Sequence, residues 1–439
     1  MGWVARAWTS VFPPSNSSFQ LLSMTNSAIA LWTVDLIARR FVQGDKRIVV
    51  LLLVMLLPTY QFHAQRFNAN AILLALWPLA TYCFLRSFET QQWPWALAAG
   101  ATAALAMLGK YYSVFLIGSF AFAALCHPQR RLYFKSSAPG VAAAAGLAVL
   151  APHLYWLATT GAMPFGYAMA AHAGRNLDSS LNEALFFVLG LAATMALPAV
   201  IWVMIAGYRL KSFAHDFRTM NSGLLLLFFV SIGTIILPIV TAVALGTDLP
   251  PLWASQGLFL FGVLIVCGAS YSIERFYSVN LTVIVIGIAV VATVVAAPIH
   301  AVYRNSNPFL EGRNYYRPAS LELTRQWHEQ TDVPLPAVGG DETLALAAAF
   351  YSPDHPISGN PYIYEHSRDG TRQNLKKGWA AMCFNGDVAC IDGIDRVASQ
   401  ASHAIRSEVE VRSMLLGCPG AARRITTLIV PPSKEESGQ

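Results

Sequence analysis

The chain has 439 residues, of which 55% are hydrophobic and only 12% are charged. Soluble domains carry about 25% charged residues, so the composition excludes a wholly soluble protein and indicates that a bilayer surrounds much of the chain. Residues 1–301 hold 16 Lys and Arg against 8 Asp and Glu, whereas residues 302–439 hold 14 against 16. The basic excess lies in the apolar part, where it indicates membrane topology and not nucleic-acid binding.

The first 18 residues contain no apolar run, because the first such run begins at Phe19. A signal peptide needs a basic region, an apolar region and a small-residue cleavage site, and none of these precedes Phe19. We therefore expect residues 1–18 to be a loop on the outer face of a membrane, the remnant of a longer outer loop.

Ten apolar segments follow, and each approaches the roughly 20 residues that cross a bilayer. They are 19–38, 47–62, 70–88, 94–109, 112–126, 138–158, 184–207, 220–246, 252–271 and 280–299. The pair 94–126 is expected to form two short helices around residues 109–112, or else to be partly re-entrant. The sequence thus predicts an α-helical polytopic membrane protein of about ten spans, with a membrane domain over residues 19–301.

Lys and Arg in the connecting loops predict the orientation, because cytoplasmic loops carry an excess of both. One set of loops holds Arg39, Arg40, Lys46, Arg47, Arg86, Arg130, Arg131, Lys135, Arg209, Lys211, Arg218 and Arg275. The opposite set holds only Arg6, Arg66, Lys110 and Arg175. The first set is therefore expected in the cytoplasm, which places both termini outside.

The polar tail, residues 302–439, is expected to form a small extracytoplasmic α/β domain, with helices near 320–330 and 342–350. Three of the six cysteines, Cys383, Cys390 and Cys418, lie in it. An oxidising compartment would allow one disulfide, and the short loop slightly favours Cys383–Cys390. No C-x-x-C or Cys/His spacing predicts a metal site there.

Two outward loops carry candidate phosphate-binding residues. Arg66 and Asn70 lie where a helix begins, and free N–H groups beside a guanidinium suit an anion. The alternative is that Asn70 caps the helix and Arg66 snorkels. Lys110, followed by Tyr111, lies near membrane depth, where a lysine is costly and often functional. Its alternative role is that of an interfacial lysine in an aromatic belt.

Further outward candidates come later in the chain. His153 ends an apolar segment and precedes a loop of about 25 residues that contains Arg175, and loops of this length are often functional. The aromatic residues around His153 also fit a membrane belt. Among the outward carboxylates, Asp178 and Asp248 are candidate bases or ligands, although Asp248 precedes Pro250 and also fits a turn.

Residues 67–114, FNANAILLALWPLATYCFLRSFETQQWPWALAAGATAALAMLGKYYSV, carry a family resemblance together with APHLYWL at 151–157, PPLW at 250–253 and VGGDE at 338–342. The chain resembles the GT-C superfamily of bacterial membrane glycosyltransferases, which includes dolichyl-phosphate-mannose protein mannosyltransferases and lipid A aminoarabinose transferases. The rhizobial lipopolysaccharide-core galacturonosyltransferases look like the nearest group.

The resemblance implies a polyprenyl-phosphate sugar donor and an envelope glycolipid or polysaccharide acceptor. Transfer would take place on the periplasmic face of a bacterial inner membrane, and at most a divalent cation would assist as cofactor. No nucleic-acid partner is expected. The residues predicted to contact the donor or its phosphate are Arg66, Asn70, Lys110, Tyr111, His153 and Arg175.

The sequence departs from the family at its catalytic position. The family's first span and the acidic pair of its first outer loop lie upstream of the part that matches this chain, and Asn70 stands where the family often has Asp. A neutral amide cannot serve as the base, so the catalytic residue is not identified. We expect a longer natural chain that carries the missing span and acidic pair. A lipid-linked-substrate transporter and a non-catalytic partner of a complete enzyme are the alternative functions.

Overall fold

The structure is a computed structural model that describes residues 2–161, 166, 174, 176–207, 212–307, 312–359, 377–399, 401 and 403–432. The chain forms two compact units, Met1–Gly287 and Ile288–Gln439. The division falls inside a long apolar helix. The predicted fold class, a helical membrane-type protein with a small C-terminal α/β domain, is confirmed.

The first unit is built from helices. Its described helices are α1 (Gly2–Thr9), α2 (Asn16–Ala38), α3 (Asp45–Met55), α4 (Pro58–His63), α5 (Ala69–Thr90), α6 (Trp93–Gly109), α7 (Val114–Cys126), α8 (Arg130–Lys135), α9 (Ala138–Thr160), α10 (Leu177–Ala206), α11 (Phe213–Arg218), α12 (Ser222–Leu245), α13 (Phe259–Cys267) and the start of α14 (Arg275–Val291). Short 3₁₀ turns lie at Tyr111–Ser113, Pro251–Trp253 and Ser255–Leu258.

Six helices of the described residues are long and apolar enough to cross a membrane. They are α2, α5, α9, α10, α12 and the continuous helix Arg275–Ser306, which contains α14. The other predicted spans coincide with shorter apolar helices, among them α6, α7 and α13. The prediction of about ten spans therefore holds for the positions of the apolar segments, whereas four of them form helices shorter than a full span.

Three of the predicted spans or span pairs are interrupted, and prolines explain two of these interruptions. The segment 47–62 divides because Leu57 takes an extended conformation before Pro58, as residues before proline prefer. The segment 252–271 starts as 3₁₀ turns after Pro250 and becomes α-helical only at Phe259. Within 94–126, Lys110 is extended (φ −161°, ψ 130°) and separates α6 from the next turn.

The prediction of a loop over residues 1–18 is wrong for its first half, because Gly2–Thr9 is the helix α1. Trp8 packs against Phe12 with ring centroids 4.3 Å apart. Its indole Nε1 donates to Ser18 Oγ at 2.9 Å and so ties α1 to the start of α2. Five of the eight residues of α1 are apolar, but the helix is too short to give the long apolar run that indicates a span.

Ion pairs join the helices at the end of the unit that carries most of the loop arginines. Buried Asp35 of α2 accepts from Arg47 of α3 at 2.7 and 3.0 Å and also pairs with Arg39. Arg40 donates to Glu89 of α5 at 2.9 Å. Part of the predicted cytoplasmic charge is thus paired within the protein, and it orders the loops between α2, α3 and α5.

The second unit continues with α15 (Ala297–Ser306), α16 (Tyr316–His328), β1 (Ala337–Gly340), α17 (Glu342–Tyr351), β2 (Ile357–Ser358), β3 (Trp379–Phe384), α18 (Val388–Ala398), β4 (Ile405–Leu415) and β5 (Cys418–Val430). The strand order is β2-β1-β3-β5-β4. β1 pairs in parallel with β2 and β3, whereas β5 pairs antiparallel with β3 and β4.

Helices cover both faces of this sheet. Side chains alternate along β3, so successive residues pack against helices on opposite faces. Ala380 and Met382 pack with Leu323 of α16 and Leu344 of α17. On the other face, Trp379, Ala381 and Cys383 pack with Ile394 of α18. The favoured disulfide Cys383–Cys390 is present and ties β3 to α18, and Cys418 is free and exposed.

Candidate functional site

The turn after α6 is held rigidly at its position beside α5. Trp77 of α5 donates through its indole Nε1 to Ser113 Oγ at 3.0 Å, and that hydroxyl donates to Ala106 O at 3.0 Å. A side chain at Gly109 would meet Leu73 at 3.3 Å, so the end of α6 lies close against α5. These contacts fix the backbone on both sides of Lys110.

Lys110 therefore has a defined environment. Its ammonium donates to Asn70 Oδ1 at 3.2 Å. It lies 4.9 Å from the ring centroid of Trp253 and 5.9 Å from that of Tyr112, within cation–π range. An ammonium has three donors, and Asn70 supplies its only hydrogen-bond acceptor among the described residues. Lys110 is thus a half-buried cation with hydrogen-bonding capacity to spare.

The next residue links this turn to α9. The hydroxyl of Tyr111 lies 2.7 Å from His153 Nε2, and the His153 ring stacks on Trp156 with centroids 5.6 Å apart. Four of the predicted residues are therefore joined by two neighbouring contacts, Lys110 with Asn70 and Tyr111 with His153. We call Asn70, Lys110, Tyr111, His153 and Trp253 the Lys110 cluster.

His63 is a neighbour of this cluster that the sequence alone does not single out. It is fully buried at the end of α4. Asn68 caps α5 by accepting from Ala71 N at 2.9 Å, so its Nδ2 faces His63 Nδ1 at 3.4 Å. Asn68, not Asn70, is therefore the cap, and His63 Nδ1 is the acceptor of that contact. The proton of the neutral ring then lies on Nε2.

Burial sets the charge of both groups, which lie between the predicted spans. It lowers the pKa of Lys110 to about 8, so the ammonium is charged at neutral pH but loses its proton at a lower pH than an exposed lysine. Burial, with the nearby charge of Lys110, lowers the pKa of His63 to about 4. His63 is thus neutral at pH 7, and Lys110 supplies the positive charge.

An apolar groove of about 690 Å³ adjoins the Lys110 cluster. His153 belongs to both, and Gly109 lines the groove one residue before Lys110. The rest of its lining is Trp3, Val4, Ile72, Leu76, Leu105, Leu108, Val149, Pro152 and Trp156. A cation one residue from the lining of an apolar groove suits an amphiphile with an anionic head and a hydrocarbon tail.

The remaining predicted residues lie outside the Lys110 cluster. Arg66 lies over the ring of Phe62, 5.3 Å from its centroid, and is half-buried. Asp178 is exposed in the first turn of α10. Asp248 precedes the 3₁₀ turn whose Trp253 contacts Lys110, so it shares a short segment with the cluster. Arg175 lies outside the described residues.

The divalent cation stays a prediction. Among the described residues, no three His, Cys, Asp or Glu side chains form a group that could hold a metal ion by themselves.

The chain is similar to known proteins in part of its sequence and in its fold. Residues 1–156 match the family described as dolichyl-phosphate-mannose-protein mannosyltransferase. Two crystal structures of ArnT from Cupriavidus metallidurans, in the apo state and bound to undecaprenyl phosphate, match with TM-scores of 0.57 and 0.59. Each is 12% identical, and the match covers 97% of this chain and 86% of the other. No curated protein matches the sequence.

Proposed function

We propose that this chain is a membrane glycosyltransferase that transfers a sugar from a polyprenyl-phosphate donor. The mannosyltransferase family match over residues 1–156 and the ArnT-like fold support this proposal. The acceptor would be an envelope glycolipid, such as lipopolysaccharide or its lipid A, or a polysaccharide. The reaction would take place on the periplasmic face of the bacterial inner membrane.

The observation that carries the proposal is the environment of Lys110. Its half-buried ammonium retains two donors beyond the bond to Asn70, and a phosphate oxygen is a strong acceptor for them. Because aromatic rings flank the ammonium, little water competes for it. A phosphate bound there would keep its charge-assisted hydrogen bonds largely unscreened.

The groove supports the same substrate class. A polyprenyl tail is apolar and needs a path that keeps it out of water. The groove is lined by Gly109, which precedes Lys110, and by His153, which contacts Tyr111. ArnT from Cupriavidus metallidurans, whose fold this chain shares, has been crystallised with undecaprenyl phosphate. A lipid phosphate bound at Lys110, with its tail in the groove, would use both the cation and the apolar groove of the site.

The chemistry would be an inverting transfer at the anomeric carbon. The acceptor hydroxyl attacks that carbon, its proton passes to a base, and the bond to the phosphate oxygen breaks. Lys110 would stabilise the charge that develops on the departing lipid phosphate. The base is not identified. Of the two candidate carboxylates, Asp248 is favoured because its segment reaches Lys110 through Trp253.

Phosphate binding is tested with Lys110→Met in the 439-residue chain in nanodiscs, with undecaprenyl phosphate as the probe. Hydrogen bonds to charged groups contribute about 1.5–3 kcal/mol, so we expect about 10- to 100-fold weaker binding. Undecaprenol, which lacks the phosphate, should bind both forms equally. The measurement is ligand-dependent fluorescence or thermal shift over a concentration series.

Lys46→Met is the matched control. Lys46 is also half-buried, donates to Ala269 O at 2.6 Å and lies 5.9 Å from the ring centroid of Tyr271. It should bind undecaprenyl phosphate as the wild type does. Equal affinity of Lys110→Met and wild type would refute the phosphate-binding role. Sugar transfer itself is read from the mass of envelope glycolipids in cells that express wild type or Lys110→Met.

One observation favours a second candidate function, that of a non-catalytic partner. Asn70 contacts Lys110 at the position where the sequence resemblance expects an acidic residue. A chain that binds the lipid phosphate but lacks the base could present the donor to a complete transferase. Undecaprenyl phosphate binding without sugar transfer, together with co-purification of a complete transferase, would favour this function.

A further inference from the structure

The tip of the β4–β5 hairpin has an unusual residue for its conformation. Leu415 pairs with Cys418, so Leu416 and Gly417 form a two-residue loop, and both have positive φ, 49° and 86°. Such loops favour Asn-Gly or Asp-Gly, because a branched apolar side chain is strained in the left-handed region. Leu416 is nevertheless 98% exposed, and nearby Met414 is 59% exposed.

This tip lies at the end of the long apolar helix of the same unit. Ser413 of β4 donates to Asn305 O at 2.9 Å, and Asn305 Nδ2 donates to Cys418 O at 3.4 Å. A side chain at Gly420 would meet Asn305 O at 2.0 Å, so backbone contacts backbone here. The hairpin tip therefore has a fixed position beside Asn305.

From Ile288 to Ile299 the helix that leads to Asn305 is apolar apart from Thr293, as expected of a helix surrounded by lipid. Its exposed side chains include Val294, Ile299 and Val302, at 68%, 64% and 58%. Tyr303 follows at 57%, and exposed tyrosines are typical of the headgroup level. Asn305 lies about 3 Å further along the helix axis, since each residue rises 1.5 Å. The hairpin tip is thus within reach of the membrane surface.

We propose that Met414 and Leu416 insert into the lipid headgroup region and make the β4–β5 hairpin a membrane contact of the C-terminal domain. The partner is the lipid surface on the side where this helix ends. The contact would explain why an apolar residue occupies a turn position that favours Asn, and why the turn bonds to the last residues of the helix. It does not depend on the proposed transferase activity.

The test uses an environment-sensitive NBD label on Leu416→Cys in the full chain, with Cys126→Ser and Cys418→Ser to remove the exposed free thiols. The protein is placed in nanodiscs of phosphatidylethanolamine and phosphatidylglycerol, with and without doxyl-labelled lipid. The control label is on Ile357→Cys, which is 59% exposed and lies in β2 at the opposite edge of the sheet. We expect a blue-shifted emission at position 416 and severalfold stronger quenching than at 357.

Quenching at position 416 that is no greater than at position 357 would overturn the proposal. That result would hold even if a protein partner covers the hairpin tip in cells, because the proposal names the lipid surface as the partner. A second variant separates insertion from folding. Leu416→Asn suits the left-handed turn and should keep the thermal midpoint of the domain. With the label moved to Met414→Cys, adding Leu416→Asn should reduce the lipid quenching, and unchanged quenching would also count against insertion.

Discussion

Asn70 determines how much of the Lys110 charge is available to a ligand. Its amide accepts one hydrogen bond from the ammonium at 3.2 Å but carries no charge. An aspartate at this position would pair with Lys110 and neutralise it, because the two groups are half-buried and close. The neutral amide therefore orients the lysine while leaving its full charge for an anion.

We accordingly predict that Asn70→Asp weakens the binding of undecaprenyl phosphate by about tenfold, which corresponds to about 1.4 kcal/mol of competition for the ammonium. The control is Asn68→Asp, which adds the same charge at the same helix start while preserving the cap on Ala71 N. Its effect should be smaller, since Asn68 faces His63 and not Lys110. The measurement is a titration in nanodiscs.

A gain of sugar transfer in Asn70→Asp would contradict this expectation. It would mean that a carboxylate at position 70 supplies the missing base and that Lys110 holds the phosphate despite the pair. Affinity equal to that of the wild type would show that Asn70 does not control the charge of Lys110. The two results separate a binding role of the pair from a catalytic one.

The residues of the Lys110 cluster could be predicted only in part. Lys110 and Asn70 stood out because charged and amide side chains are rare beside apolar segments. Trp253 stood out only within the PPLW motif at 250–253, and His63 did not stand out at all. Their proximity to Lys110 depends on how α4, α5 and the 3₁₀ turn pack, and a local pattern contains no information on such long-range contacts.

At the level of elements, the close contact of α6 and α9 positions the site. A side chain at Gly100 of α6 would lie 1.9 Å from Ala142 O of α9, and Gly146 of α9 faces Gly100 in turn. Small residues allow this approach in membrane proteins, where packing between helices replaces the hydrophobic effect. Because Lys110 directly follows α6 and α9 carries His153, the contact of the two helices sets the spacing of the two groups.

Gly100→Ala should therefore destabilise the protein by about 1–3 kcal/mol, the usual cost of overpacking, and lower its thermal midpoint in detergent. It should also weaken undecaprenyl phosphate binding, since the bond between Tyr111 and His153 would lengthen. Gly140→Ala is the control on α9, because its new methyl group would meet no atom within 4 Å. That variant should be neutral or slightly more stable.

Equal midpoints for Gly100→Ala and Gly140→Ala would show that the helices separate without cost and that their contact does not position the site. A lower midpoint with unchanged phosphate binding would keep the packing role and remove the link to Tyr111 and His153.

Element positions follow from the sequence better than element types. Long apolar runs gave the six long helices because burial in lipid requires a helix with satisfied backbone groups. The non-helical backbone at Pro58 and Pro250 was missed, because the length of an apolar run does not show where the backbone departs from a helix. The helix α1 was missed because its eight residues are too few to form a long apolar run.

At the scale of the whole molecule, composition predicted the two parts of the chain. The low charge of residues 1–301 indicated a membrane domain, and the balanced charge of the tail indicated a folded α/β domain. The disulfide Cys383–Cys390 was favoured on loop length alone, and the packing of β3 against α18 brings the two residues together. The orientation in the membrane stays a prediction from the loop charges.

Two exposed free cysteines, Cys126 and Cys418, test that orientation. Cys126 ends α7 beside Arg130 and Arg131, a loop expected in the cytoplasm, and Cys418 lies in the domain expected outside. A membrane-impermeant maleimide should modify Cys418 in intact spheroplasts and Cys126 only after the membrane is opened. The single variants Cys126→Ser and Cys418→Ser assign each modification by mass, and an abundant cytoplasmic protein controls for leakage. Modification of Cys126 from outside would reverse the orientation, and a polyprenyl donor would then have to reach Lys110 from the cytoplasmic leaflet.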